Sequence, residues 1–352
     1  MLSISNQLLE HYSEIPFGAR ILTLGVAPEL AAEWAAQVAT GQVWAVADFL
    51  PDVQAAERLA QQQRLSALHP LHSADLAELP AELFDTCAVD MESYANRAQL
   101  LHLLWLATRR LKSDGSLLVA GANDSGVRSL EKRLREGWGS VSVLAYKKGH
   151  RLLLTHPPAD LLPLETEAPD EEMVELCGET FTLRLYPGVF AGGGLDAATK
   201  LLAENVAFRQ SGTVLDLGCG SGILGMLAAR LAPRSAVTLV DASAAALAAA
   251  RENCQRNNLP NTHILPSDGL AAVREMRFDL VLCNPPFHHQ RNYSSDTALR
   301  FISEVGKSLA PRGRFYLVAN QFLRYEPAMR ESFGNVSTVV DDGKYKVLLS
   351  ER

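Results

Sequence analysis

Short apolar runs that end in a polar or glycine-rich turn recur along this chain and predict buried strands. In the second half such runs span Val214–Leu217, Val237–Val240 and Phe278–Cys283. The stretch Ile223–Leu231 predicts a helix after the first run, and Ala242–Ala250 is rich in strong helix formers. Strands that alternate with helices in this way indicate an α/β fold with a mostly parallel sheet.

The same order of signals occurs twice. The strand-and-glycine signal that ends at Gly218 has a first copy ending at Gly25, and the strand that begins at Phe278 has a first copy at Phe84. The spacing is 60 residues in the second copy and 59 in the first. Two later turn-and-strand landmarks repeat in the same order. We therefore predict two copies of one α/β domain, each a mostly parallel sheet with a terminal antiparallel hairpin.

The two copies differ in the turns that carry polar chemistry. Residues 218–222 read Gly-Cys-Gly-Ser-Gly, whereas residues 25–29 read Gly-Val-Ala-Pro-Glu. Proline removes an N–H, and the acid opposes electron-rich ligand groups. Asp48 follows the second strand of the first copy and could suggest a ribose-binding acid, but without the glycine turn we interpret it as a surface strand end. We expect the first copy to be degenerate and to stabilise the chain, orient the substrate or grip it.

An amide, two prolines and an aromatic ring follow the strand Phe278–Cys283 in the second copy. These residues are Asn284, Pro285, Pro286 and Phe287. The amide oxygen of Asn284 and the carbonyl of Pro285 can both accept hydrogen bonds from one planar –NH2 group, while Phe287 offers a face for stacking. The segment is suited to a conjugated amine, such as the exocyclic amine of a nucleobase.

A glycine-rich turn and two strand-end acids precede this motif. Gly218, Gly220 and Gly222 stand at every second position, which argues against the Gly-x-Gly-x-x-Gly turn that nicotinamide cofactors require. Asp241 ends the next strand, where a carboxylate can bind the hydroxyls of a ribose. Asp268 lies in a polar turn that can face an adenine edge.

In this ordered set the chain resembles the class I S-adenosylmethionine-dependent methyltransferases, in particular those that methylate amines through an Asn-Pro-Pro-aromatic motif. The resemblance implies two tandem Rossmann-like domains, of which the second binds S-adenosyl-L-methionine. It also implies that Asn284 to Phe287 are the catalytic residues. The residues expected around the methyl donor are Asp216, Gly218, Cys219, Gly220, Gly222, Asp241, Ala242, Asp268, Gly269 and Asn284.

Nearly the whole chain resembles the bacterial ribosomal RNA guanine-N2 methyltransferases. The resemblance rests on the degenerate first half, on Tyr186–Phe190 followed by Gly194-Leu195-Asp196, and on Asn284 to His288. It implies methylation of a specific guanosine in ribosomal RNA, with the small-subunit family favoured and the large-subunit sister family as the alternative. Two further alternatives are an amino-methyltransferase acting on adenine or protein glutamine, and a non-catalytic RNA-binding factor.

The resemblance does not require a general base. Hydrogen bonds from the guanine amine to Asn284 and Pro285 would direct its lone pair toward the donor methyl group, and the proton can leave to water afterwards. His288 and His289 follow the motif, and we interpret them as solvated or close to phosphate rather than as bases. No metal is expected.

The net charge of −7 is unevenly distributed along the chain. Residues 156–180 contain eight acids and no Lys or Arg, whereas residues 181–352 contain 19 basic and 15 acidic residues. We therefore predict a degenerate domain over 1–155, an acidic linker over 156–180 and a catalytic domain over 181–352. Within 128–151 a basic cluster offers phosphate contacts to ribosomal RNA or a ribosomal subunit; its members include Arg128, Lys132, Arg133, Lys147 and Lys148.

Cysteine usage and hydropathy give expectations about the compartment. The five cysteines are odd in number and widely spaced, which is typical of reduced thiols rather than of a disulfide framework or a zinc site. We interpret Cys219 as a small filler of the turn. The chain shows neither a signal-peptide pattern nor a run of about eighteen apolar residues. We expect a cytoplasmic, monomeric protein without a membrane partner.

Overall fold

The structure, a computed structural model, describes residues 2–11, 19–38, 40–94, 96–158, 171–189, 194–285 and 294–352. The chain divides into two compact units, Met1–Glu167 (unit 1) and Ala168–Arg352 (unit 2). None of the described helices has the length and apolarity needed to cross a membrane.

Unit 1 contains seven strands in one sheet, ordered β3-β2-β1-β4-β5-β7-β6. Strands β1 to β5 run parallel to one another, and the antiparallel hairpin of β6 and β7 pairs with β5 through β7, also antiparallel. The elements are α1 (Ile4–His11), β1 (Arg20–Leu24), α2 (Pro28–Gln37), β2 (Gln42–Ala47), α3 (Leu50–Gln63), β3 (Leu68–His72), β4 (Phe84–Asp90), α4 (Arg97–Thr108), β5 (Leu111–Ala122), α5 (Val127–Trp138), β6 (Val141–Lys147) and β7 (His150–Thr155).

Unit 2 repeats this sheet in the order β12-β11-β10-β13-β14-β16-β15 and adds a separate two-stranded sheet, β8-β9. The predicted helix over 223–231 is present with those bounds, and the Ala-rich stretch begins its helix at Ala244. The elements are β8 (Glu171–Leu176), β9 (Glu179–Arg184), α6 (Ala197–Glu204), β10 (Thr213–Leu217), α7 (Ile223–Leu231), β11 (Ala236–Asp241), α8 (Ala244–Arg256), β12 (Thr262–Pro266), β13 (Phe278–Cys283), α9 (Ser294–Ser308), β14 (Leu309–Asn320), α10 (Glu326–Phe333), β15 (Ser337–Asp341) and β16 (Tyr345–Glu351).

The central strands are apolar along their length because helices cover both faces of each sheet. In β10, Val214 belongs to a core that includes α7, whereas Leu215 and Leu217 belong to a second core that includes α9. Successive side chains of a strand point to opposite faces, so both cores draw on every central strand. The predicted fold class, two tandem Rossmann-like domains that each end in an antiparallel hairpin, is confirmed.

The predicted acidic linker over 156–180 needs a correction on its C-terminal side. Glu171–Leu176 is a strand that pairs with β9, and its residues Val174 and Leu176 are buried in the core of unit 2. Alternation places these two apolar side chains on one face, while Glu171 and Glu175 point to the other. A high acid content therefore hid an amphipathic strand. The rest of the predicted linker includes residues 159–170, which lie outside the described residues.

Candidate active site

The strand order brings the predicted site residues of unit 2 to one edge of the sheet. β10 lies between β11 and β13, and β12 pairs with the far side of β11. The polar turns that follow these four parallel strands therefore leave the sheet side by side. This is the switch point at which open α/β sheets bind ligands.

The glycine-rich turn after β10 is hydrogen-bonded to β11 on one side and faces open space on the other. The N–H groups of Gly218 and Cys219 both donate to the carbonyl of Val240, at 2.9 and 3.0 Å. A side chain added at Gly220 would meet no atom of the described residues within 4 Å, and one added at Gly218 would meet only the Phe301 ring, at 4.0 Å. Both glycines have positive φ, at +53° and +73°. The turn thus presents bare backbone to an adjacent space.

Asp241 at the end of β11 ties two loops together. One carboxylate oxygen accepts the N–H of Gly220 at 3.0 Å, and the other accepts the N–H of Ser243 at 2.9 Å. Ala242 lies within the turn that the second bond closes. Each oxygen of a carboxylate can accept more than one hydrogen bond, so this half-buried group keeps the chemistry needed for two neighbouring hydroxyls.

Asp216 is buried near the end of β10, beneath the glycine-rich turn. Its side chain is 1% exposed, and Oδ2 accepts the N–H of Gly225 at 2.8 Å. Burial raises the pKa of this carboxyl to about 7; the Gly225 N–H opposes the rise and the nearby Asp241 adds to it. Asp216 thus fastens β10 to helix α7 beneath the turn. Its expected place among the residues around the methyl donor stays a prediction.

Asp268 lies in the turn after β12 and is held by helix α9. Arg300 forms an ion pair with it at 2.5 Å and also faces Glu304. Glu304 accepts the N–H of Leu270 at 2.9 Å, and a side chain at Gly269 would collide with the Glu304 carboxylate. Helix α9 therefore sets the conformation of the turn that was predicted to face adenine.

Asn284 follows β13 and has one satisfied and one unsatisfied end. Its amide nitrogen donates to Thr199 Oγ1 at 2.8 Å and faces Asp196 Oδ2 at 3.4 Å. Its amide oxygen is buried and has no hydrogen-bond partner among the described residues. Pro285 is buried beside it. A buried acceptor without a donor is costly, so its presence at a sheet edge indicates a ligand that supplies the donor. Pro286, Phe287, His288 and His289 lie outside the described residues.

The thiols near the site are not arranged for nucleophilic chemistry. Burial, with Asp241 and Asp216 adding to it, holds the pKa of the Cys219 thiol well above its usual value, and burial does the same for Cys283. Both thiols stay protonated near neutral pH, consistent with Cys219 as a filler. Among the described residues no group of three or more His, Cys, Asp or Glu side chains could hold a metal ion.

The basic cluster predicted over 128–151 is divided between two faces of the unit 1 sheet. Leu153 of β7 packs with α5, whereas Leu152 packs with α1. Arg128, Lys132 and Arg133 lie on α5. Lys147, at the turn between β6 and β7, donates to Gln7 of α1 at 3.0 Å. Sequence proximity grouped these residues, but the alternation of the hairpin separates them.

Acidic side chains neutralise part of the α5 side. Glu131 accepts from Arg135 at 3.0 Å and from Arg151 at 3.1 Å, and Lys132 lies 3.8 Å from Glu136. The carboxylate of Glu131 is thereby shared by two guanidinium groups. Arg128 and Lys132 remain well exposed on the outer face of the helix.

Three contributors to the site were not predicted: Thr199, which contacts Asn284, and Arg300 and Phe301, which lie beside Asp268 and the glycine turns. Thr199 had a weak signal, because an Asp three residues before it marks a helix N-cap. Arg300 and Glu304 had the i,i+4 spacing of a helical ion pair. Neither pattern indicates which distant turn the helix contacts.

The chain is similar to known methyltransferases. The family described as "Methyltransferase small domain" matches residues 180–349. The ribosomal RNA small subunit methyltransferase C of Shewanella pealeana is 33% identical over 77% of this chain and 78% of its own length. Its counterpart in Pseudoalteromonas translucida is 34% identical over 68% of this chain and 70% of its own.

A solved structure covers the chain more completely. The T. thermophilus 16S rRNA N2 G1207 methyltransferase, in complex with AdoMet and guanosine, superposes with a TM-score of 0.84 at 28% identity. The match covers 99% of this chain and 92% of that one. The expected membership of the small-subunit rather than the large-subunit group is confirmed. This chain belongs to the ribosomal RNA small subunit methyltransferase C family.

Proposed function

We propose that this protein transfers a methyl group from S-adenosylmethionine to the exocyclic N2 amine of a guanosine in small-subunit ribosomal RNA. The observation that carries the proposal is the buried amide oxygen of Asn284, which has no donor among the described residues and lies one strand away from the glycine turn. An amine is the group that satisfies such an acceptor. The names of the relatives supply the substrate class.

The residues around the turn fit the methyl donor. The space above Gly218 and Gly220 admits a ligand directly against the backbone. Asp241 would hold the ribose hydroxyls, Asp268 would accept from the adenine amine, and Ala242 lies between them in sequence. When bound, S-adenosylmethionine supplies a methyl group on a positively charged sulfur, and the amine nitrogen forms its new bond to carbon as the carbon–sulfur bond breaks.

Asn284 and Pro285 would orient the amine for this step. The guanine amine is a weak nucleophile because its lone pair is conjugated with the ring. When each of two acceptors accepts a hydrogen bond from one N–H of the amine, the nitrogen lone pair is directed toward the methyl group. Acceptors held in place before the reaction cost no reorganisation when it occurs. The excess proton then leaves to water. Phe287 would stack on the extruded base.

A direct assay tests the proposal. The purified chain and isotopically labelled donor are combined with naked 16S RNA, assembled small subunits or assembled large subunits. The RNA is digested to nucleosides and the protein fraction to amino acids, and both digests are analysed by mass spectrometry. The proposal expects label in N2-methylguanosine from a small-subunit substrate. Label in methyladenosine, in a protein glutamine or in large-subunit RNA would replace it with the corresponding alternative.

Unit 1 would contribute RNA affinity without binding the donor. We expect Lys132→Glu and Arg128→Glu, together on the exposed face of α5, to weaken RNA binding and to reduce the salt dependence, by about 0.7 in log–log slope for each lost phosphate contact to a single strand. Lys147→Glu with Lys148→Glu tests the other face of the sheet separately. If neither pair changes the slope, the RNA contacts lie within the mildly basic stretch 181–352. The monomeric state and the cytoplasmic location stay predictions.

A further inference from the structure

The amide of Asn284 has two ends of opposite chemistry. Its oxygen accepts hydrogen bonds and its –NH2 group donates them. Rotation about the last side-chain bond exchanges the two ends at little intrinsic cost. An amine substrate is bound by the oxygen and repelled by the –NH2 group, so the neighbours of Asn284 decide whether the site works.

Those neighbours form a short chain of hydrogen bonds with one possible direction. The hydroxyl of Thr199 donates to Oδ2 of Asp196, because a carboxylate accepts and does not donate. The Thr199 oxygen is then left with lone pairs, and it accepts from the Asn284 amide nitrogen at 2.8 Å. A reversed amide would place its oxygen against these lone pairs and 3.4 Å from the Asp196 carboxylate. Both contacts would be repulsive.

Asp196 is itself fixed by the helix it starts. Its other oxygen, Oδ1, accepts the N–H groups of Ala198 and Thr199, at 2.9 and 3.2 Å, as the N-cap of α6. The cap therefore determines which carboxylate oxygen is directed to the Thr199 hydroxyl. Thr199 is 6% exposed, so water competes poorly for these bonds.

We propose that Asp196 and Thr199 are positioning residues that impose the acceptor orientation on Asn284 and thereby select a substrate group that donates N–H. The inference rests on the proposed function, since it assigns the way in which that site recognises an amine. Neither residue needs to touch the substrate. Their action passes through the amide of Asn284.

Thr199→Val tests the hydroxyl with almost no change of shape. With donor and RNA saturating, we expect the single-turnover methylation rate to fall about 10-fold, the effect of losing roughly one net hydrogen bond, while the Kd for S-adenosylmethionine changes less than about twofold. Thr199→Ser keeps the hydroxyl and should restore the rate to within about threefold. Thr238→Val, a matched deletion of another buried hydroxyl in β11, serves as the control.

Asp196→Asn tests the direction of the hydrogen bonds. Asn is as good an N-cap as Asp, so α6 should be retained. Its –NH2 group can, however, donate to Thr199, which frees that hydroxyl to donate to Asn284 and permits the reversed amide. We expect the rate to fall at least as far as in Thr199→Val, with an unchanged far-UV circular dichroism spectrum. If Thr199→Val does not fold, Asp196→Asn by itself tests whether Asp196 and Thr199 orient the Asn284 amide.

Several outcomes would overturn the inference: a parental rate in Thr199→Val or Asp196→Asn, a Thr199→Ser variant as slow as Thr199→Val, or a rate loss matched by an equal loss of donor affinity. These outcomes are separable from failure of the proposed function. If the parent methylates an amine other than guanine N2, the proposed function fails, and the same variants compared on that amine still support or overturn the positioning role.

Discussion

Equivalent positions at the carboxyl edges of the two sheets carry different side chains. Val46 of β2 and Val240 of β11 pair with the last residue of the central strand in their own sheets. The residue after each valine is therefore equivalent, so Ala47 stands where unit 2 has Asp241. Asp48, the acid that the sequence offered as a ribose ligand, is one position further along. Its interpretation as a strand end agrees with this register, because a shift of one residue sends a side chain to the other face.

The strand pairing also identifies the unit 1 residues that are equivalent to Asp268 and Asn284. His72 pairs with Ala47 as Pro266 pairs with Asp241, so that Ala74 occupies the position of Asp268. By the pairing of β4 and β13 with the central strands, Asp90 occupies the position of Asn284. Unit 1 thus lacks each predicted donor-binding carboxylate and replaces the amide with an acid.

In unit 1 the side chain of Asn6 lies at this edge of the sheet. Asn6 of α1 is 4% exposed, and its amide oxygen accepts the N–H of Ala27, which corresponds to Gly220. Its amide nitrogen donates to Asp90 at 2.6 Å. One buried amide therefore satisfies the turn that Asp241 satisfies in unit 2 and also donates to the group equivalent to Asn284. Unit 1 therefore closes this sheet edge with its own hydrogen bonds, whereas in unit 2 the Asn284 oxygen has no donor among the described residues.

The largest effect is expected from the open acceptor. Asn284→Ala should lower single-turnover methylation by about 100-fold or more at saturating RNA, the scale found when a preorganised hydrogen-bonding group is removed from an active site. The measurement is rapid-quench transfer of labelled methyl to RNA. Asp90→Asn at the equivalent position of unit 1 is the control and should stay within about twofold. A parental rate in Asn284→Ala would remove the amine-acceptor role.

The two strand-end acids, Asp241 and Asp48, should differ in their effect on the affinity for S-adenosylmethionine. Asp241→Ala should weaken S-adenosylmethionine binding by about 1.5–3 kcal/mol for each charge-assisted hydrogen bond lost. Asp48→Ala should leave the Kd unchanged because its position is not the equivalent one. Isothermal titration of both variants checks this. Equal losses in the two variants would contradict the register argument.

Closing the unit 1 site should contribute to stability rather than to chemistry. Asn6→Ala leaves the Ala27 N–H and Asp90 without this partner and should cost about 1–3 kcal/mol of unfolding free energy. All four tryptophans lie in unit 1, so tryptophan fluorescence during urea unfolding reports on that unit. Glu10→Ala, on the exposed side of the same helix, is the control. A changed donor Kd in Asn6→Ala would show that the closed site still influences the open one.

A pH dependence should reside in unit 2, because Asp216 has neutral Thr23 as its counterpart. The pKa of Asp216 is raised from 3.8 to about 7, so between those pH values the native state holds a proton that the unfolded state has released. Stability from this group therefore falls as pH rises from about 4 to about 7, by up to about 1.4 kcal/mol per pH unit. Asp216→Asn should lack this fall. The measurement is urea unfolding followed by circular dichroism, at pH values where the tryptophan fluorescence transition of unit 1 does not change. If the parent and Asp216→Asn showed the same dependence of stability on pH, the assignment to Asp216 would be refuted.

Local patterns were enough to predict the repeated architecture and to select most residues of the candidate site. Apolar runs bounded by turns revealed the strands, the spacing of Gly218 and Phe278 matched that of Gly25 and Phe84, and the Asn284 motif indicated an amine. Such signals are readable because a buried strand and a glycine turn each depend on a few consecutive residues. The degeneracy of the first copy was likewise visible in its turn residues.

Tertiary structure alone decided which distant side chains meet. Thr199 lies 85 residues from Asn284, and Asn6 lies 84 residues from Asp90. Each pair is joined because a helix contacts the end of a strand in its own unit: α6 contacts the end of β13, and α1 contacts the end of β4. The direction of the Asn284 amide, the burial of Asp216 and the division of the basic cluster also depend on which face a side chain takes. Sheet order and register determine those contacts, and they follow from the packing of the whole unit rather than from any local stretch of sequence.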